Sequence, residues 1–325
     1  MRTETLAADS PSHLHHAIEV AANLLREGQA IALPTETVYG LAADALDAAA
    51  VVRIFEAKER PLSDPLIVHL PSRDWIDQVV KIPKEAREMT SLLMEKFWPG
   101  PLTLVLPRRD KIPDLVTAGQ STVAVRMSQH PVFRSIGKAF GKPLAAPSAN
   151  RFGKISPTTA DHVAAELQGR IPLIVDGGPC THGIESTIVA IHEDTMSILR
   201  HGPITEEQLS EFGRITRNKG RIVAPGSMKS HYAPTKPLSL LDDEIEATSP
   251  LLRCGLISWK KNGYQYKKTI KLSEQLDLHE AAANLYAAMR EMDESDVEMI
   301  IVEPVPETGI GKAIMDRLRK AAARE

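Results

Sequence analysis

The chain has 325 residues, enough at roughly 150 residues per domain for two domains, and its 43% hydrophobic and 25% charged content is that of a folded globular protein. With 19 Gly and 23 Pro it is neither collagen-like nor disordered. Thirty-nine Lys+Arg against 42 Asp+Glu leave a net charge of −3, so no global basic field gathers nucleic acid or anionic lipid, and any polyanion must be met by a local cluster.

Cys180 and Cys254 lie far apart and form no CxxC pair, which argues against a disulfide framework or a cysteine-rich zinc site. Met1–Asp9 lacks the apolar stretch of a signal peptide, and no apolar run approaches the roughly 18 residues a membrane span needs. A reduced, cytoplasmic protein without a membrane segment is expected.

In chain order, Leu14, Ile18, Ala21, Ala22 and Leu25 recur at helical spacing behind Ser10-Pro11, an N-cap followed by proline in the first turn, and Gly28 closes the helix. Ala30–Leu33 suits a buried strand. Then follow a helix through Val51, Val52, Ile54 and Phe55, a strand at Leu66–Val68, a helix near Ile82–Phe97, and strands at Leu102–Leu106 and Thr122–Val125. Helices near Pro131–Phe140 and Thr159–Leu167 flank the run Leu144–Ala146, and strands return at Leu173–Val175 and Thr187–Ile191. The alternation predicts a layered α/β domain over residues 1–213. Residues 214–237, basic and punctuated by Pro225-Gly226 and Ala233-Pro234, read as a linker. Strands at Leu238–Leu241, Cys254–Ser258 and Val297–Val302, with helices at Leu278–Met292 and from Ile310, predict a small α/β domain, Rossmann-like with a mostly parallel sheet, over residues 238–325.

Lys58-Glu59-Arg60-Pro61 ends the second helix, and Pro61 pushes Arg60 toward extended backbone, so Lys58 and Arg60 can point the same way and suit a polyphosphate. The simpler reading is two cations complementing a helix C-terminus. Ala146–Asn150 places Ser148 and Asn150 two apart after an apolar run, where α/β folds present ligand groups. Ser156–Asp161 reads as a helix start open to an anion, or as ordinary capping by Ser156 or by Thr158 with Asp161. Pro34–Leu41, Asp176–Pro179 and Gly183–Thr187 mix polar groups and glycines between strands and read equally as turns. Arg126 and Arg200 end predicted strands. His13, His15 and His16 read as solvated, because nothing nearby completes a zinc set. HExxH, GxSxG and the Walker phosphate loop are all missing, so metalloprotease, hydrolase and P-loop readings lose support.

Taken together, Pro34–Gly40, Lys58–Leu66, Phe97–Thr103, Val123–Arg126, Ala146–Asn150, Ser156–Thr158, Asp176–Gly178 and Glu185–Val189, in this order, resemble the YrdC-like family in its two-domain form, the threonylcarbamoyl-AMP synthases of tRNA modification. Ala224–Gly226 and His231–Pro234 are similar to that form's linker. The resemblance implies a twisted mixed-sheet catalytic domain plus the small α/β domain. It implies that Lys58 and Arg60 are catalytic, and that Lys58, Arg60, Asp64, Thr122, Ser148, Asn150, Ser156, Arg200 and Tyr232 bind ATP. It places Thr37, His69, Arg126, Ser186 and the main chain of Ala146 around threonine. Three positions depart from the family pattern: Glu59 where glycine is common, Asp64 where asparagine is common, and His201 where proline is common. Asp64 would repel phosphates unless a cation intervenes.

The implied reaction joins L-threonine, bicarbonate and ATP, with Mg²⁺ on the phosphates and no protein-held metal, into threonylcarbamoyl-adenylate and pyrophosphate. Downstream threonylcarbamoyl transferases are the implied partners, and tRNA is not expected to bind this chain tightly. The other classes in view are an RNA-binding module of the same fold and a carbamoyl-transferring relative. Pro225–Pro234 lies in a segment too long for an ordinary connection of roughly 2–6 residues, which by itself reads equally as a plain spacer or a lid; the resemblance implies a lid with Tyr232 over ATP.

Overall fold

The computed structural model describes residues 1–217, 231–243, 245 and 251–323. After β1 (Glu4–Ala7) comes α1 (Pro11–Arg26), capped by the Ser10 side chain, which accepts from the His13 N–H at 3.2 Å. Its Ala17, Ala21 and Leu25 stripe packs on β2 (Ile31–Leu33). The order then runs β3 (Gly40–Asp44), α2 (Ala48–Lys58), β4 (Ile67–His69), α3 (Ile76–Val79), α4 (Arg87–Phe97), β5 (Leu102–Pro107), α5 (Asp114–Thr117), β6 (Thr122–Arg126), α6 (Pro131–Phe140) and β7 (Leu144–Ala145). It ends with α7 (Ala160–Leu167), β8 (Leu173–Asp176), β9 (Thr187–His192), β10 (Thr195–Arg200), α8 (Glu206–Ser210) and β11 (Arg214–Ile215).

Among the described residues these strands form one eleven-stranded mixed sheet in the order β1-β8-β2-β3-β7-β4-β6-β5-β9-β10-β11. Two of its strands carry no legible pattern. β1 has only Leu6 half-buried, and β3 is Gly-Leu-Ala-Ala-Asp, poor in β-branched residues; both are strands because neighbours hold them. β11 corrects the domain reading. It pairs in parallel with Thr195–Met196, so the first sheet extends past Gly213 into the segment read as linker. The cap of α7 is also corrected, since Thr159, not Ser156 or Thr158, accepts from the His162 N–H.

Strand alternation decides where a site can form. Val68, Val123, Val125, Leu104 and Leu106 join the main core, while Ile67, Val105, Ala124, Ile188 and Ala190 make a small cluster on the other face. That second face also carries His69, two residues beyond Ile67, and Arg126, two beyond Ala124. The register pairs Ile67 with Ala124 and His69 with Arg126, placing the two polar side chains at adjacent strand ends.

The second unit holds β12 (Leu238–Leu240), β13 (Cys254–Ser258), β14 (Lys268–Lys271), α9 (Leu278–Glu294), β15 (Met299–Val302) and α10 (Gly311–Ala322). Its sheet, β12-β15-β13-β14, is parallel at every pair. Val38, Ile155 and Ile184 of the first unit join one apolar cluster with Tyr232 and the inner faces of α9 and α10, so the two units share a core. Among the described residues no helix is long and apolar enough to cross a membrane.

Candidate active site

A partly open cavity lies on that second face. Thr35, Thr37, Val38 and Gly40 supply one wall, and Ile67, His69 and Arg126 the strand floor. Ala146–Ser148 and Arg60 form a second wall; Glu185, Ser186, Arg200, His231 and Tyr232 complete the rim.

At one end the geometry follows from how α2 stops. Glu59 takes a left-handed conformation (φ 54°), the Arg60 N–H returns to Phe55 O at 3.0 Å, and the chain reverses. This explains why glycine suits position 59; here Glu59 compensates with an ion pair to Arg170 at 2.8 Å. Arg60 is buried, its Nη2 donating to Pro65 O at 2.9 Å and lying 2.8 Å from Asp64 Oδ2. Asp64 is thus paired with Arg60. Lys58 does not line the cavity. Its ammonium donates to the carbonyls of Ser148 and Asn150, and burial together with the Arg60 charge holds it well below lysine's ordinary pKa. Asn150 likewise faces its own loop, donating to Arg151 O at 2.7 Å and Lys154 O at 2.9 Å. Of the Lys-x-Arg and Ser-x-Asn set, Arg60 and Ser148 therefore meet the cavity, while Lys58 and Asn150 brace the loop behind.

At the other end Arg126 spreads its guanidinium over three acceptors: Nε to Gly100 O at 3.2 Å, Nη1 to Thr37 Oγ1 at 3.0 Å, and Nη2 to Glu36 Oε1. Thr37 is itself held by Thr35, the two hydroxyl oxygens standing 2.9 Å apart. The pKa of His69 is pushed down to about 3 by burial and by the Arg126 charge, so its ring is neutral; its Nδ1 is buried without a hydrogen bond. Ser186 Oγ lies 2.8 Å from Thr103 Oγ1 and accepts from Arg200 Nη2 at 3.0 Å. Ala146 lines the wall, but its N–H is used by Ile67 O at 2.9 Å.

The rim is where the second unit arrives. Glu185 lines the cavity and accepts from Ser156 Oγ (2.6 Å), Arg317 Nε (2.9 Å) and the Tyr286 hydroxyl (2.9 Å). Burial alone would raise its pKa, but the charges of Arg317 and Arg200 outweigh that and bring it down to about 2. Ser156 is thereby a partner of Glu185 rather than a cavity group. Tyr232, 1% exposed, stacks on Tyr286 with ring centroids 5.8 Å apart, and the Arg317 guanidinium lies 5.4 Å from its ring centroid. Of the expected lid, residues 231–234 are seated here, Ala233 N–H donating to Gly153 O at 2.8 Å; residues 225–230 lie outside the described residues. Thr122 is on the same strand face as Arg126 but outside the cavity lining. His13 and His15 are exposed and pair with Asp9 and Glu19.

Glu36, Thr103, Tyr286 and Arg317 were not singled out by the sequence. The first two sat inside quoted motifs; the last two lie more than a hundred positions from Glu185, where nothing local signals them.

Two family profiles match the chain: one for Sua5/YciO/YrdC proteins, described as "Telomere recombination", over residues 23–202, and one described as "Threonylcarbamoyl-AMP synthase, C-terminal domain" over residues 204–323. A Bacillus subtilis protein named threonylcarbamoyl-AMP synthase is 43% identical, the alignment covering 98% of this chain and 95% of the relative. One of the same name from Pyrococcus abyssi is 40% identical, covering 94% of each. The crystal structure of P. abyssi Sua5 complexed with L-threonine is similar at a TM-score of 0.88 and 38% identity, over 98% of each chain.

Proposed function

The chain belongs to the Sua5/YciO/YrdC family and, with both domains present, to its threonylcarbamoyl-AMP synthases, and we propose that the cavity on the second sheet face is where L-threonine, bicarbonate and ATP become threonylcarbamoyl-adenylate and pyrophosphate. The observation that carries this placement is the chemical division of the cavity. One end offers a single clamped guanidinium, two hydroxyls and a neutral imidazole lacking a partner; the other offers Arg60, Arg200 and Ser148 beneath Tyr232.

In this reading Arg126 pairs with the threonine carboxylate, and Thr37, Ser186 and the His69 ring meet its amine and hydroxyl. That the P. abyssi protein was crystallised with L-threonine supports the substrate. The amine attacks bicarbonate with loss of water, and an oxygen of the resulting carbamate attacks the α-phosphorus of ATP while the bond to pyrophosphate breaks. Such a displacement needs alignment and charge neutralisation more than a nucleophilic side chain. Arg60 and Arg200 neutralise the phosphates, Lys58 and Asn150 hold the loop that presents Ser148, and Tyr232 covers the nucleotide and excludes water from a labile product. Thr122 and Ser156 stand outside this lining. Mg²⁺ enters as part of the MgATP substrate.

The product passes to threonylcarbamoyl transferase proteins in the cytoplasm, with tRNA bound by them rather than tightly by this chain, whose net charge is −3. The test is pyrophosphate release with each amino acid, with and without bicarbonate. Release should require threonine and bicarbonate together, and valine should be rejected by far more than a methyl-sized effect because a hydroxyl partner is left unpaired. Equal release with serine, or without bicarbonate, returns the carbamoyl-transferring or RNA-binding alternatives.

A further inference from the structure

We infer that Glu36 is a specificity-determining positioning residue: by clamping and neutralising Arg126 it makes that end of the cavity accept one carboxylate and refuse the phosphates that the other end is built to hold. The inference rests on the reading of Arg126 as the threonine carboxylate site.

Glu36 sits behind the wall, 2% exposed, between Thr35 and Thr37, which line the cavity. Its Oε1 accepts from Arg126 Nη2 and its Oε2 from Ser128 Oγ, while its carbonyl accepts from the His182 N–H at 2.9 Å, so side chain and backbone are both pinned. Burial would favour the neutral acid, but the Arg126 charge and these hydrogen bonds keep Glu36 ionised. Arg126 has five N–H donors. Three go to Gly100, Thr37 and Glu36, leaving one on each Nη, two donors in all, the number one carboxylate can use.

Charge makes the arrangement selective. A bare buried guanidinium sharing a cavity with Arg60 and Arg200 would attract the most highly charged ligand present, the triphosphate or released pyrophosphate. Paired with Glu36 it carries no net charge, and binding there depends on matching the fork rather than on the ligand's total charge.

The experiment is steady-state pyrophosphate release at saturating MgATP, varying threonine against inorganic sulfate. Glu36→Gln keeps size and acceptor but removes the charge; sulfate should become competitive with threonine, with an inhibition constant lowered at least about tenfold. Glu36→Asp keeps the charge but shortens the reach; it should raise KM for threonine about tenfold without gaining sulfate inhibition. Ser128→Ala, which releases only the far oxygen of Glu36 and keeps its charge, should move in the Asp direction by less, raising KM for threonine without gaining sulfate inhibition. A folded Glu36→Gln with unchanged KM and unchanged sulfate inhibition overturns the inference; where Glu36→Gln does not fold, unchanged KM for threonine in both Glu36→Asp and Ser128→Ala overturns it. Arg126→Lys separates the two levels. If it leaves KM for threonine unchanged, the carboxylate site itself is misplaced; if it raises KM while Glu36→Gln changes nothing, only the role of Glu36 falls.

Discussion

At the Arg126 end of the cavity every group that orients the guanidinium comes from the first domain, either from the loop after β2 or from Gly100, and the strands beneath are central in the sheet. At the Arg60 end the wall is finished by Tyr232, which rests on Tyr286 of α9 and beneath Arg317 of α10. One end of the cavity is thus built by the first domain alone; at the other, the second domain supports the wall that Tyr232 completes. The threonine end should therefore tolerate disturbance of the domain contact, and the nucleotide end should not.

The largest effect on catalysis is expected from Arg60→Lys. An ammonium cannot reach Asp64 and Pro65 and still present a planar edge to phosphate, and Asp64 would be left to repel it. Turnover should fall by about 10²–10³ with KM for threonine little changed, as for an electrostatic group acting on the transition state. Near-native turnover would return Arg60 to the status of a helix-end charge.

Next in size is the cross-domain pair itself. Arg317→Met leaves Glu185 buried without its strongest partner and should cost about 3–5 kcal/mol of stability, read as a lowered urea midpoint. The pH dependence has a definite sign. Because the Glu185 carboxyl is held near pKa 2 in the folded chain, against an ordinary 4.5, its contribution is present above about pH 4.5 and is lost as pH falls toward 2. Glu185→Gln should flatten the stability profile in that window and leave the profile above it parallel to the parent.

A smaller and more selective effect is expected from removing the second domain. Truncation after Arg217 retains β11, and so the whole first sheet, where a cut at Gly213 would not. It exposes Val38, Ile155 and Ile184, so stability drops, but threonine binding by calorimetry should stay within about threefold while KM for ATP rises at least about tenfold. Tyr232→Ala in the full chain should reproduce much of the ATP effect. If threonine binding is lost to the same degree as ATP binding, the two ends are not independent and the comparison fails.

The same division governs what the sequence reveals. Lys58, Arg60, Ser148, Asn150 and Arg126 stand in short local patterns, and most helices and central strands follow from hydrophobic period and caps. The roles within those patterns do not follow. That Lys58 and Asn150 brace a loop while Arg60 and Ser148 face the cavity depends on hydrogen bonds across some 90 positions. Tyr286 and Arg317 read as amphipathic-helix residues until α9 and α10 are packed on Glu185. β3 was invisible because small residues carry no strand signal, and β11 because two residues have no period to read.

The least effect is expected from Glu59→Gly, and it separates side chain from backbone at the nucleotide end. The left-handed conformation at position 59 costs a non-glycine residue about 1 kcal/mol, which glycine would recover. Against this, glycine loses roughly 0.5–1 kcal/mol through the greater entropy of its unfolded chain, and the half-exposed ion pair with Arg170 is worth only about 0–1 kcal/mol. The sum is close to zero, so the melting temperature should move by no more than a few degrees. Glu59 supplies the reversal that sends Lys58 to the Ser148 loop and Arg60 to the cavity, and glycine preserves that reversal. Turnover and KM for both substrates should be unchanged; a marked rise in KM for ATP would mean that the Glu59 carboxylate, not the turn, matters to the nucleotide end.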